Sequence, residues 1–216
     1  MRFLTRRGFL ALAAATAVIP RATLAAPVRV LAFGDSLIHG YGLPPEESLP
    51  AQLEAALKAA GDDVMVINGG NSGDTTASGL ARLEWTLGGG ADAVLLSLGA
   101  NDGLRGLEPA ETEKNLRAML DVLKQAKLPV LLAGMYAPRN LGQDYAAEFD
   151  AVYPRLAAEY GTLFYPFLLQ GVVLDPALNQ ADGIHPNAKG VAVIVEGLLP
   201  EARALVEEAR GAATQG

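Results

Sequence analysis

Val94-Leu95-Leu96-Ser97-Leu98 is apolar on both faces of an extended chain, the pattern of a strand covered by other elements on each side. It belongs to a run that opens at Ala93, and comparable β-rich runs recur at Val28 to Phe33, Val64 to Ile67, Pro129 to Met135 and Leu163 to Phe167. Helical spacing fills the intervals. Leu116, Met119, Leu120 and Leu123 fall at i, i+3, i+4 and i+7, while Glu113, Arg117, Asp121 and Lys124 take other positions. Pro109 and Glu111 suit a first helical turn, which tolerates a missing N–H and favours negative charge. The same reasoning predicts helices near 47–60, 75–87, 144–160 and 187–209, with Gly197 and Pro200 kinking or dividing the last. Alternating strands and helices predict an α/β domain with a central parallel sheet, although strand order is not readable from this pattern.

The chain has 216 residues, half of them apolar, enough for one globular domain. No linker or repeat suggests a second. Its first residues differ from the rest: Arg2, Arg6 and Arg7 precede the apolar run Gly8 to Ile19, and no acidic residue appears before Asp35. That layout predicts a signal peptide over residues 1–26 and a single domain over 27–216. The apolar run is 12 residues long and stops at Pro20-Arg21, whereas a spanning helix needs about 20. Small residues at Ala22, Ala25 and Ala26 suit cleavage, leaving no stable membrane span. Thr5-Arg6-Arg7-Gly8-Phe9-Leu10 resembles the twin-arginine export signature, so the expected location is the periplasm or the exterior. Losing Arg2, Arg6, Arg7 and Arg21 removes four positive charges and takes the formal charge from −7 to −11, which argues against nucleic acid as a partner. Cysteine is absent and His39 and His185 are the only histidines, so disulfides, a thiol nucleophile and a histidine-rich metal cluster are excluded.

In open α/β sheets, chemistry sits in loops beyond the C-terminal ends of the strands. Gly34-Asp35-Ser36-Leu37 follows the first strand directly and places Ser36 as an exposed nucleophile. Serine needs a base, and histidine has the suitable pKa. In Asp182-Gly183-Ile184-His185-Pro186 the spacing lets a turn bring Asp182 to the imidazole, which leaves the other ring nitrogen for Ser36. His39 has too short a tether to Ser36 to act as base and reads as a partly exposed helix-start residue. Asp35 adjoins Ser36, but its side chain points away from its neighbour's and is assigned to the loop. Negative charge developing on a carbonyl oxygen needs pre-aimed donors, and Asn68 to Thr75 and Gly99 to Asp102 are polar loops after later strands. Gly73 can bring its N–H close to a ligand, Asn101 has a side-chain N–H, and the backbone N–H of Ser36 completes three donors. Taken singly, Asn101-Asp102 reads as a turn, Gly73 as a turn glycine and Asp182 as a helix cap; their joint placement after strands points to a site.

The α/β-hydrolase elbow G-x-S-x-G is not met, since its positions are Gly34, Ser36 and Ile38. The four blocks instead resemble the SGNH, or GDSL, hydrolases, with Ser36, Gly73, Asn101 and His185 at that family's four named positions in order. Ser72-Gly73-Asp74-Thr75, Gly99 to Gly106 and Asp182 to Asn187 resemble its bacterial periplasmic thioesterase I/lysophospholipase/arylesterase subgroup. His39 and Asn71 depart from the usual pattern. The resemblance implies a three-layer α/β/α, flavodoxin-like fold, no metal or organic cofactor, and Gly73 and Asn101 as oxyanion donors. It implies hydrolysis of acyl esters or thioesters through an acyl-enzyme on Ser36, by a monomer acting on a small-molecule or lipid substrate. The segment Tyr136 to Tyr145 aligns with the loop that shapes the acyl site there. Two rival readings are a carbohydrate O-acetylesterase of the same fold and an exported binding protein without turnover. Asp35, Asp74, Asp102 and Asp182 would repel an anion bound by the latter.

Overall fold

Five parallel strands make one sheet in the order β2-β1-β3-β4-β5, in a computed structural model that describes residues 26–213. The strands are β1 (Val28–Gly34), β2 (Val64–Gly70), β3 (Ala93–Ser97), β4 (Val130–Ala133) and β5 (Leu163–Tyr165). Each falls on one of the expected apolar runs. Val94, Leu95 and Leu96 are buried on both faces, as are Leu131 and Leu132 of β4, so a covered central sheet follows from their composition. Registers Gly34↔Gly70 and Gly34↔Ser97 bring the C-terminal ends of β2, β1 and β3 level at one rim.

The helices are α1 (Ser36–His39), α2 (Leu49–Ala59), α3 (Thr76–Leu87), α4 (Ala100–Leu104), α5 (Pro109–Gln125), α6 (Gln143–Asp150), α7 (Val152–Tyr160) and α8 (Ala188–Ala213). The strand order reverses after β2. Because parallel crossovers are right-handed, the helix between β1 and β2 must lie on one face and those between later strands on the other. Accordingly α2 packs with α8, while α3, α5 and α7 form a row opposite, giving three α/β/α layers. The point of reversal lies between β1 and β3, where such sheets open a crevice for ligands.

Two expectations are revised. The stretch 144–160 is two helices divided at Ala151. The last helix is undivided across Gly197 and Pro200, because Ile194, Leu198, Ala202, Leu205 and Val206 bury one face and hold it against the sheet and α2. The leader expected over residues 1–26 lies, except for Ala26, outside the described residues. Among the described residues no helix is long and apolar enough to cross a membrane.

Candidate active site

Ser36 is the first residue of α1, immediately beyond β1. Asp35 makes that start possible: its Oδ1 accepts the Leu37 N–H at 3.0 Å as an N-cap. The sequence assigns Asp35 to the loop before Ser36; in the structure it caps α1 and is fully buried. Burial pushes its pKa up to about 6, against the opposing effect of the Leu37 N–H; His185 also lowers it, and Asp74 and Asp102 raise it. An acidic residue before a helix start is a cap signature, but α1 has only four residues and shows no period in the sequence to mark its start.

The expected Asp182–His185 turn forms through the backbone. Asp182 Oδ1 accepts the N–H groups of Ile184 and His185, both at 3.0 Å, which leaves Oδ2 2.7 Å from His185 Nδ1. The ring hydrogen bond, followed by those two backbone N–H groups, draws the Asp182 pKa down to about 2. An ionised carboxylate at Nδ1 selects the tautomer with the proton on that atom. The other nitrogen, Nε2, is then an acceptor, and Ser36 Oγ lies 2.9 Å from it. Hydroxyl, imidazole and carboxylate are therefore in line, supplied by loops 149 residues apart in sequence.

The loop that carries Gly73 is joined to Asn101 next to Asp35, the residue before Ser36. Gly73 has φ +87°, a left-handed conformation that side chains resist. Asn101 lies on α4 rather than in the expected open loop, and its Nδ2 donates to Asp74 O at 2.9 Å, one residue beyond Gly73. The same nitrogen is 3.5 Å from Asp35 Oδ2, which links the loops after β1, β2 and β3. Arg105 Nη2 donates to Gly73 O at 3.0 Å from the end of α4.

Charged residues outside the line build its frame. Arg82 of α3 donates to Asp74 Oδ2 at 2.6 Å and to Gly34 O at 2.8 Å, with its guanidinium 4.1 Å from the Phe33 ring centre. Asn71, one of the unusual positions, donates to Asp74 Oδ1 at 2.8 Å. Buried Asp102 accepts from the Thr76 N–H at 2.9 Å and the Thr76 hydroxyl at 2.5 Å, fixing α4 to the start of α3. His39 is exposed and closes α1 instead of opening a helix, and its carbonyl accepts from Asn68 Nδ2 at 3.2 Å.

Sequence reasoning missed Tyr41, whose ring centre is 4.6 Å from that of His185 at a 37° tilt. Gln180 Nε2 donates to Tyr41 O at 2.7 Å and ties the two segments together. Nothing local marks this tyrosine. On the other flank, Tyr145 Oη donates to Leu107 O at 2.7 Å, and Tyr136 stacks on Phe167 at 4.5 Å. Tyr41, Leu104, Leu107, Tyr136, Leu141 and Ile184 are all exposed, an unusual apolar share for polar loops. A hollow of about 570 Å³ lined by Tyr136, Arg139, Phe164 and Pro166 lies beyond β4 and β5, and Ser36 and His185 are not among its lining residues.

A serine and histidine in contact, with a carboxylate behind the ring and two polar loops beside the hydroxyl, form the arrangement that acyl transfer uses. The sequence model of the GDSL-like Lipase/Acylhydrolase family matches residues 32–193, which include all of these parts. The chain belongs to that family. It is 41% identical over 174 residues to the arylesterase of Vibrio mimicus, covering 80% of this chain and 87% of that protein. It is 38% identical over 183 residues to the thioesterase 1/protease 1/lysophospholipase L1 of Escherichia coli, covering 84% and 86% respectively. The crystal structure of AlinE4, an SGNH-hydrolase family esterase, superposes with a TM-score of 0.72 at 44% identity, covering 84% of this chain and 98% of that one. This GDSL-family protein is thus a serine esterase/thioesterase of the SGNH type, a hydrolase of ester bonds.

Proposed function

We propose that Ser36 is the nucleophile, His185 its general base and Asp182 the carboxylate that orients the imidazole. The observation that carries this reading is the continuous line Asp182 Oδ2–His185 Nδ1 at 2.7 Å and His185 Nε2–Ser36 Oγ at 2.9 Å. In the first step Ser36 Oγ bonds to the substrate carbonyl carbon as its proton passes to His185 Nε2. Negative charge on the carbonyl oxygen is met by the N–H groups of Ser36, Gly73 and Asn101 Nδ2. His185 returns the proton to the departing alcohol or thiol. Water, deprotonated by the same imidazole, then releases the acid from Ser36 and restores the free enzyme.

The substrate class we propose is acyl esters and thioesters with an apolar acyl chain, including aryl esters and lysophospholipids. Exposed Leu104 on α4, the helix that carries Asn101, and exposed Leu107 just after it favour an alkyl chain over the polar ring of an acetylated sugar. The protein acts outside the cytoplasm after loss of the basic, apolar leader that precedes Pro27.

The test is stoichiometric labelling by a fluorophosphonate together with hydrolysis of a p-nitrophenyl ester series. Ser36→Ala is expected to abolish labelling and to lower turnover on the order of 10⁶-fold. Wild-type rates in that variant would remove Ser36 from the chemistry. Acetate hydrolysed in preference to butyrate and longer chains would overturn the acyl assignment.

A further inference from the structure

We infer that Asp35 is the positioning residue that orients the Asn101 amide for the oxyanion, a role separate from capping α1. The inference rests on the proposed part of Asn101 as an oxyanion donor. Its ground is the division of labour between two carboxylate oxygens: Oδ1 accepts the Leu37 N–H at 3.0 Å, and Oδ2 faces Asn101 Nδ2 at 3.5 Å.

The Asn101 amide could in principle sit either way round, with its oxygen and nitrogen exchanged. Two acceptors decide between the orientations. Asp74 O takes one hydrogen of Nδ2 at 2.9 Å, and Asp35 Oδ2 stands on another side of the same nitrogen. Turning the amide over would set Oδ1 against a carbonyl oxygen and a carboxylate together, which electrostatics forbids in a buried site. The 3.5 Å separation is too long for a strong hydrogen bond. At that length Oδ2 holds the second hydrogen only weakly, so a substrate oxygen entering beside it can share or take over that hydrogen while the amide keeps its orientation.

Only a carboxylate satisfies both contacts from this position. An asparagine that kept its oxygen on the Leu37 N–H would turn its own NH2 towards Asn101, donor against donor. Its other orientation loses the cap. A serine keeps a short capping oxygen and cannot reach Asn101. Asp35 is fully buried, and among the described residues it has no Lys or Arg ion-pair partner, whereas Asp74 is paired with Arg82. Such a residue is costly to folding, and its raised pKa records that cost. His185 is the group that favours its ionised form, while Asp74 and Asp102 oppose it.

The experiment is a double-mutant cycle between Asp35→Asn and Asn101→Ala, read as kcat and KM for p-nitrophenyl butyrate, with Tm monitored throughout. Asn101→Ala is expected to lower kcat on the order of 10²-fold. Asp35→Asn is expected to lower kcat at least roughly tenfold with KM little changed, and to add less than about twofold in the Asn101→Ala background. Asp35→Ser supplies the same cycle if the asparagine variant does not fold. Multiplicative losses, or wild-type kcat in both Asp35 variants, would overturn the inference while leaving Asn101 as a donor. Wild-type kcat in Asn101→Ala would instead overturn the donor assignment, and the inference with it.

Discussion

Asp35 and Asp182 are two carboxylates of one site whose surroundings drive them in opposite directions. Asp182 is partly exposed and accepts three hydrogen bonds from the His185 turn, so its charged form is favoured and its pKa falls to about 2. Asp35 is buried, and its pKa rises to about 6. The sign of the second shift has a consequence for stability. The folded protein holds the Asp35 proton more tightly than the unfolded chain does, so the stabilisation is complete below pH 3.8 and is lost as the pH rises through about 6. The shift corresponds to an order of 3 kcal/mol. Asp35→Asn, which keeps the cap oxygen, is therefore expected to be more stable than the parent at pH 7 and to lose the pH dependence between 4 and 6. Urea unfolding at several pH values checks this, and a variant less stable at pH 7 with an unchanged pH slope would contradict it. A substitution that stabilises the fold while slowing turnover would mark Asp35 as a residue retained for function.

At the scale of elements, the site depends on the strand ends lying level. Gly34 closes β1 opposite Gly70 and Ser97, and Arg82 of α3 holds its carbonyl. A β-carbon on Gly34 would stand 2.4 Å from Ser97 O, a backbone atom of the next strand, and 2.4 Å from Ile38 Cγ1. Gly34→Ala must therefore separate β1 from β3 or displace α1. It is expected to cost about 1–3 kcal/mol in urea unfolding and to lower kcat, because the loop carrying Ser36 moves relative to the one carrying Asn101. Unchanged stability would show that the strand junction is looser than these contacts imply. The short α1 and α4 were not legible in the hydrophobic pattern. Each is only about one turn long, too short to display a period, and is held by tertiary bonds such as Asp102 to Thr76.

At the scale of the molecule, the one-sided order β2-β1-β3-β4-β5 puts the loops after β1, β2 and β3 at a single crevice and lets the segment before α8 return to it with His185. On the proposed reading, the basic, apolar residues preceding Pro27 serve export and not the fold. A chain of residues 27–216 is accordingly expected to retain full esterase activity, and Arg6→Lys with Arg7→Lys is expected to block export of the full chain. Fractionation with activity staining reports both. Activity absent from the shortened chain would return the leader to the domain.

Residue chemistry and spacing alone determined the alternation of strands and helices, and singled out Ser36, His185 and Asp182 as the candidate nucleophile, base and orienting acid, with Gly73 and Asn101 as candidate donors. Most of these are legible because their signals are local: a run of apolar residues, a turn of three residues, a glycine suited to close approach. The pairing of Ser36 with His185, 149 residues away, follows from chemistry, because only two histidines exist to serve as base. Strand order, the burial of Asp35, the Tyr41 ring on His185 and the 3.5 Å approach of Asp35 to Asn101 required the tertiary structure. Each of them joins segments far apart in the chain, and whether a carboxyl is solvated or sealed is decided by neighbours that only folding brings together.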